Sequence, residues 1–274
     1  MKNLTKLALI LTGGAVLAAA GTALLLAPGH ASKKQKAPFM GKNFAHRGLH
    51  SEDKSIPENS MPAFKKAAEK GYGIELDVQL SKDGQVVVFH DDTLNRVCNV
   101  DSRVDEKDYS ELSEMKLCGT EFGIPLFSQV LEAVAGRSTL IVELKTGRRN
   151  RELCEKTCKL LREYEGSYCI ESFDPTIVAW FRKHAPEIVR GQLAMPRKEY
   201  NNKKPLPFLL GNCLLNIIAR PHFIAYKIGK RPLSVRISEL MGAMRVGWTS
   251  RTPGNEIGRD AVIFEFYKPD VLYK

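Results

Sequence analysis

Two acidic residues sit two apart in the run Gly73-Ile74-Glu75-Leu76-Asp77-Val78. In an extended strand alternate side chains share a face, so both carboxylates point one way and the aliphatic groups the other. Two carboxylates on one face of an apolar strand are costly unless a cation neutralises them. Glu143 and Lys145 repeat the device after the apolar run Leu140-Ile141-Val142, and His46 (followed by Arg47) and His90 each close a short apolar run. Together these residues offer three hard oxygen ligands, two imidazoles and two cations. Carboxylates without cysteine ligands select Mg²⁺ or Ca²⁺ over zinc. A divalent cation beside Arg47 and Lys145 suits a phosphoryl oxygen, whose charge grows in the transition state. Two imidazoles suit one acid and one base across a P–O bond. The chemistry within reach is phosphodiester hydrolysis.

Such a set needs a scaffold that carries residues far apart in the chain to one place. Apolar runs that read as buried strands fall at 43–46, 73–78, 86–90, 139–143, 168–172, 189–193, 222–226, 244–248 and 261–264. Helical patterns lie between them at 61–70, 127–135, 149–164, 175–184 and 234–241. Strands alternating with helices imply a parallel sheet, and this many units in so short a chain fit a closed TIM-type (β/α)8 barrel. In such a barrel catalytic groups collect at the C-terminal ends of the strands, where His46 and His90 are expected. Two stretches break the alternation, 91–123 and 194–221, and loops of that length inside a compact domain are usually functional. No G-x-G-x-x-G follows the first strand, which argues against a dinucleotide-binding fold.

The chain has 274 residues and a net charge of +10, with 43% apolar and 26% charged residues. Its positive charge is concentrated in two places. Before Glu52 the only charged residues are basic, and 190–236 holds many Lys and Arg against the single acid Glu199. Charge arranged in this way suits an anionic surface. No nucleic-acid-binding motif accompanies it, so the expected partner is a membrane. Residues 7–32 carry no formal charge and 7–27 are mostly Leu, Ala, Ile and Val. A bilayer span needs roughly 20 such residues, and a cleaved signal core only roughly 7–15. Residues 1–30 are therefore expected to be a single-pass transmembrane anchor in the cell membrane. Residues 31–42 are then a basic, extended linker, and 43–274 the catalytic domain. Lys33, Lys34, Lys36 and Lys42 outweigh Lys2 and Lys6, which leans toward a cytoplasmic catalytic domain. None of the six cysteines forms a C-x-x-C pair, so free structural thiols are expected.

The sequence resembles the glycerophosphodiester phosphodiesterases. The likeness runs through Ala45-His46-Arg47-Gly48, Pro57-Glu58-Asn59-Ser60 and the stretch from Gly73 to Gly84. It continues in Val87-Val88-Phe89-His90-Asp91, Ile124-Pro125-Leu126, Glu143-Leu144-Lys145 and Ser172-Phe173-Asp174. The resemblance implies a divalent metal on Glu75, Asp77 and Glu143, and His46 and His90 as the acid–base pair. Arg47 and Lys145 would hold the phosphate, with Trp248 against the substrate. Glu58 and Asn59 would support the first loop, and 91–123 would be a small inserted subdomain over the barrel mouth. The implied substrate is a glycerophosphodiester or a phospholipid-derived relative, giving glycerol 3-phosphate and an alcohol. The C-terminal part departs from the family's pattern at Trp248-Thr249-Ser250-Arg251 and at Ile263-Phe264-Glu265-Phe266, and the 194–221 insert is not typical. Two rival readings are a tethered barrel that binds phosphodiesters or lipid without turnover, and a phosphoinositide-type phospholipase.

Overall fold

The computed structural model describes residues 20–200 and 205–273. Its strands are β1 (Lys42–Ala45), β2 (Gly73–Leu80), β3 (Val86–Val88), β4 (Leu140–Leu144), β5 (Tyr168–Ser172), β6 (Val189–Ala194), β7 (Phe223–Lys227), β8 (Met244–Ser250) and β9 (Ala261–Phe264). Its helices are α1 (20–26), α2 (Lys33–Lys36), α3 (Met61–Glu69), α4 (Asn95–Cys98), α5 (Tyr109–Glu114), α6 (Phe127–Val134), α7 (Asn150–Arg162), α8 (Pro175–His184), α9 (Leu206–Gly211), α10 (Asn216–Ala219) and α11 (Leu233–Leu240). Eight parallel strands run in the order β1-β9-β8-β7-β6-β5-β4-β2, and the pairing of β1 with β2 closes them into a TIM-type barrel.

Period-two alternation sorts the strand residues into two layers. Ile74, Leu76, Val78, Leu140, Val142, Leu144 and Ile170 face outward and pack with Phe64, Phe127, Leu161 and Phe181 of the surrounding helices. Phe44, Ile141, Cys169, Val189, Leu193, Phe223, Val246 and Ile263 face inward and fill the barrel. Glu75, Asp77 and Glu143 are on this inward face, above the apolar plug. All six cysteines are free.

The expected strand at 86–90 is shorter and runs the other way. β3 pairs antiparallel with β2, Val88 opposite Val78 and Val86 opposite Leu80, and so lies outside the barrel. The Lys82-Asp83-Gly84 turn reverses the chain, with the Ser81 and Asp83 side chains bonded to each other at 2.5 Å. Residues 91–123 form a satellite of short helices with a small core of its own, in which Phe89, Leu94, Val97, Val104, Leu112, Leu117 and Ile124 pack together.

Residues 31–42 are not the extended linker expected from their charge. Ser32 caps α2, its hydroxyl accepting from the Gln35 amide at 3.2 Å while the Gln35 side chain accepts from the Ser32 amide at 3.0 Å. Phe39, 3% exposed, enters the floor of the barrel against Phe44 and Phe223. Lys36 bonds the Gly242 carbonyl at 2.8 Å and Lys42 the Thr139 hydroxyl at 3.1 Å. The lysines lie around the rim while the apolar residues between them close the barrel. Most of the expected membrane anchor, residues 1–19, lies outside the described residues. Among the described residues no helix is long and apolar enough to cross a membrane. The end of α1 docks on the same floor, where the Leu26 carbonyl accepts from Ser238 at 2.8 Å and from Asn216 at 3.3 Å.

Candidate active site

Strand register builds the acidic centre. Asp77 of β2 lies opposite Glu143 of β4, and Glu143 lies opposite Glu171 of β5. Neighbouring strands run about 4.8 Å apart, so three inward carboxylates form a row across the mouth. Glu75 lies one step lower on β2. Glu75, Asp77 and Glu143 are all buried, and each offers a ligand oxygen within 4.8 Å of the others. Asp77 Oδ1 and Glu171 Oε2 are buried and accept no hydrogen bond. Hard oxygens converging in this way, with two nearby carboxylate oxygens lacking a hydrogen bond, fit a divalent cation.

The electrostatics divide the carboxylates. Burial, and then the charges of Asp77, Glu143 and Glu171, push the Glu75 carboxyl well up. Glu171 is likewise raised by burial and then by Glu143 and Asp77. Asp77 goes the other way: burial opposes its ionisation, but His90, Lys145, Arg47 and the Asn59 amide together hold it well below the usual range. The Asn59 amide donates to Asp77 Oδ2 at 2.8 Å. Lys145 Nζ lies 2.8 Å from Glu143 Oε1 and 3.4 Å from Asp77 Oδ1.

The first loop is set by its backbone. Arg47 has φ 54° and Asn59 φ 52°, both in the left-handed region that costs a side-chain-bearing residue strain. Gly48 at φ 78° is obligatory, because a Cβ there would meet Ala63 at 2.9 Å. The turn points the Arg47 amide at Glu75 Oε2, 2.9 Å away, and sends its guanidinium to Glu58 at 2.7 Å and to Asp77 at 3.6 Å. Glu58 is shared with Arg96 from α4, and so ties the inserted subdomain to the loop.

Each imidazole is held by a carboxylate on its Nδ1. His46 Nδ1 is 2.9 Å from Glu265 Oε2, and His90 Nδ1 is 2.6 Å from Asp91 Oδ1. His46 Nε2 lies 4.0 Å from Glu75. Burial pushes the His46 pKa down, against the hydrogen bond that its Nδ1 donates to Glu265. Glu265 is buried, but His46 and Arg251 outweigh that burial and bring its carboxyl down to about 2. His46 sits at the end of β1 as the strand pattern predicts. His90 reaches the mouth by a different route, up the returning arm of the β2–β3 hairpin, where the Phe89 amide bonds the Asp77 carbonyl at 3.0 Å.

These groups line one cavity of about 310 Å³, which contains His46, Arg47, Glu75, His90, Glu143 and Trp248. Lys145 is not among its lining residues and lies behind Glu143 and Asp77. The Trp248 indole donates to the Ala225 carbonyl at 2.9 Å and stands edge-on to Phe173 at 5.5 Å. Four charged residues of the same lining are absent from the sequence-based set: Glu171, Lys227, Arg251 and Glu265. Glu171 was detectable as a lone acid in an apolar strand. Glu265 and Arg251 lie in the two segments that depart from the family pattern, and they bond each other at 2.6 Å. His50 Nε2 also lies 3.8 Å from Glu265 Oε2.

Known proteins resemble this chain in sequence and in fold. A sequence model of the glycerophosphoryl diester phosphodiesterase family matches residues 46–266. A glycerophosphodiester phosphodiesterase of Caldanaerobacter subterraneus subsp. tengcongensis is 37% identical over 161 residues, 54% of this chain and 65% of that protein. One from Bacillus altitudinis is 38% identical over 168 residues, 57% of this chain and 67% of that protein. The matched stretch thus spans about two thirds of those relatives. Among solved structures, an Oleispira antarctica phosphodiesterase in complex with the product sn-glycerol-3-phosphate superimposes with a TM-score of 0.69 at 21% identity, over 84% of this chain and 94% of that one. A glycerophosphodiester phosphodiesterase from Thermotoga maritima does so at 0.61 and 26% identity, over 81% and 93%. Because the family match takes in every site residue from His46 to Glu265, the chain belongs to the glycerophosphoryl diester phosphodiesterase family.

Proposed function

We propose that this protein hydrolyses glycerophosphodiesters to glycerol 3-phosphate and an alcohol, with a divalent cation, Mg²⁺ or Ca²⁺, held by Glu75, Asp77 and Glu143. The observation that carries the reading is the register-matched row of buried carboxylates between two imidazoles, each fixed by a carboxylate on Nδ1. When bound, the cation polarises a phosphoryl oxygen and offsets the carboxylates' mutual repulsion. Arg47, paired with Glu58 and Asp77, directs its remaining donors at the phosphate. Lys145 adds positive charge behind it. With Nδ1 occupied, each ring keeps Nε2 for the reaction. One imidazole takes the proton of the attacking hydroxyl and the other returns a proton to the departing alcohol oxygen. Trp248 gives the organic part of the substrate a flat apolar wall.

The rival reading of a barrel without turnover drew its support from the altered C-terminal segment. That segment supplies Glu265, the partner of His46, which is a catalytic asset. A membrane tether through residues 1–30, with the catalytic domain on the cytoplasmic side, is part of the proposal. Its support is the uncharged run 7–32 and the lysines that follow it. Carbonate extraction and protease protection of the intact cell test it.

The activity is tested with the full chain in detergent, glycerophosphoglycerol and glycerophosphoethanolamine as substrates, and glycerol 3-phosphate as the readout. Release that stops with EDTA, returns with Mg²⁺ or Ca²⁺ and is missing in Glu75→Ala is the expected result. Absence of release from every glycerophosphodiester under both metals overturns the reading.

A further inference from the structure

At the floor of the barrel, under β6 and β7, cations gather without acids. Arg190, at the start of β6, is 5% exposed, yet its Nη1 has no hydrogen-bond partner and its Nε only the Ala219 carbonyl at 3.5 Å. Arg182, near the end of α8, bonds the carbonyls of Ile217 and Ile218, each at 3.0 Å. Arg220, after α10, bonds the carbonyls of Leu24 and Ala27 at 2.9 and 2.7 Å. The nearby acids are already taken: Glu187 by Arg162 at 2.7 Å, Glu239 by Arg231 at 2.7 Å and Asp260 by Arg245 at 3.2 Å. Burial, and then Arg182, bring Arg190 down to about 10 and lower Arg220 as well. Lys33 and Lys34 of α2 add two exposed charges to the same end.

Apolar side chains stand out among these cations. Leu24, Leu25, Met40, Leu240 and Met241 are all exposed, Leu240 by 87%. A groove of about 440 Å³ between α2 and the end of α11 brings the two kinds together, with Lys36, Met40, Arg236, Leu240 and Arg245 in its lining. The Leu26 carbonyl, bonded to Ser238 of α11, places the end of α1 beside the same helix. Water is a poor neighbour for the leucines, and a packed protein interface a poor one for unpaired cations. An anionic bilayer surface suits both, since its headgroups take the charges and its acyl boundary the apolar tips. The uncharged run 7–32 also reaches the barrel at this end, through α1.

We propose that the floor of the barrel rests on an anionic bilayer surface, so that the catalytic mouth opens away from the membrane. The proposal rests on the membrane-tether reading above and adds to it the face that meets the bilayer and the charge of the lipid. β2 runs eight residues from floor to mouth. At about 3.3 Å per residue and the usual strand tilt, the acidic centre stands roughly 20 Å above the floor. Salt screens charge over about 8 Å, so anionic headgroups hold the floor without repelling an anionic substrate at the mouth. Each cation near such a surface is worth about fivefold in partition.

The test uses the full-length protein in phosphatidylcholine vesicles, with or without phosphatidylserine, and brominated acyl chains to quench tryptophan on contact. The expected result is quenching in Leu240→Trp beyond that of the native protein, stronger with phosphatidylserine than without. Leu206→Trp, on α9 at the mouth end, shows no added quenching. Adding Lys33→Glu and Lys34→Glu to Leu240→Trp removes the gain from phosphatidylserine, while carbonate still leaves the chain in the membrane. Both lysines are exposed in the first turn of α2, where acids suit the helix, so the fold is kept. Equal quenching at the two reporters, none at Leu240→Trp, or quenching there indifferent to phosphatidylserine overturns the proposal and leaves the tether intact. If carbonate releases the chain, the tether reading fails and flotation with the same vesicles decides the face alone. Flotation that needs phosphatidylserine and falls by roughly twentyfold or more in Lys33→Glu with Lys34→Glu supports it. Flotation indifferent to phosphatidylserine, or none, overturns it.

Discussion

The two ends of this barrel bury different kinds of group. At the mouth, the row Asp77, Glu143 and Glu171, with Glu75 just below, packs like charges together, and Asp77 Oδ1 and Glu171 Oε2 go without hydrogen bonds. Arg47 and Asn59 hold left-handed backbone beside them. At the floor, Phe39, Leu26 and Ala31 are buried, and main-chain bonds such as the Gly29 amide to the Pro221 carbonyl, 2.9 Å, fasten the N-terminal segment. Strain and repulsion collect where chemistry is wanted, and packing elsewhere offsets them. Substitutions at the mouth should therefore cost turnover and little stability. Substitutions at the floor should do the reverse.

The sharpest break of that contrast is Glu75→Gln. Turnover should fall by roughly a thousandfold or more, while the thermal midpoint measured in chelator stays level or rises, because burial disfavours the lost charge. A marked drop in midpoint would refute the division of labour. His46→Ala and His90→Ala should each lower kcat by ~10²–10⁴-fold with the fold intact by circular dichroism. At the other end, Phe39→Ala should cost roughly 3–5 kcal/mol in denaturant unfolding and leave kcat/KM of the folded fraction unchanged.

The floor also has a pH signature. Burial, and then the charges of Arg190, Lys36 and His30, bring His222 down to about 3. Between about 6.5 and 3 the unfolded ring binds a proton that the folded ring does not, so stability falls as pH drops through that window. From pH 7 to pH 5 the native protein should lose roughly 2 kcal/mol more than His222→Gln in urea titrations. The smallest effect expected is at the mouth. Glu265→Gln removes the charge that orients His46, and should cost roughly tenfold in kcat with KM nearly unchanged. The acidic limb of its pH–rate profile should move as well, which a purely structural role would not produce.

Much of the barrel was legible before any coordinates, because the signals that define it are local. The spacing of Glu75 and Asp77 fixes a shared face, and the alternating apolar runs at 73–78, 139–143, 168–172 and 261–264 reappear as β2, β4, β5 and β9. The errors came where a local pattern had a non-local meaning. The run at 86–90 has the composition of a barrel strand, but only a pairing partner decides direction, and it turns back on β2. Residues 31–42 read as a linker because lysines dominate their composition. The Ser32 and Gln35 capping pair and Phe39 were the contrary signals, and each has force only once a barrel floor exists to receive the segment.

By itself the amino-acid sequence determined which residues could do chemistry, which face of a strand they share and which family they fall in, since side-chain type and period two are properties of the chain alone. Tertiary structure decided which carboxylates meet, because register between β2, β4 and β5 is set by packing around the whole barrel. It also decided that Glu265, 219 residues from His46, holds that ring, and that Arg182, Arg190 and Arg220 gather at the floor without a carboxylate. Contacts across such separations depend on the closed sheet and leave no mark on the residues at either end.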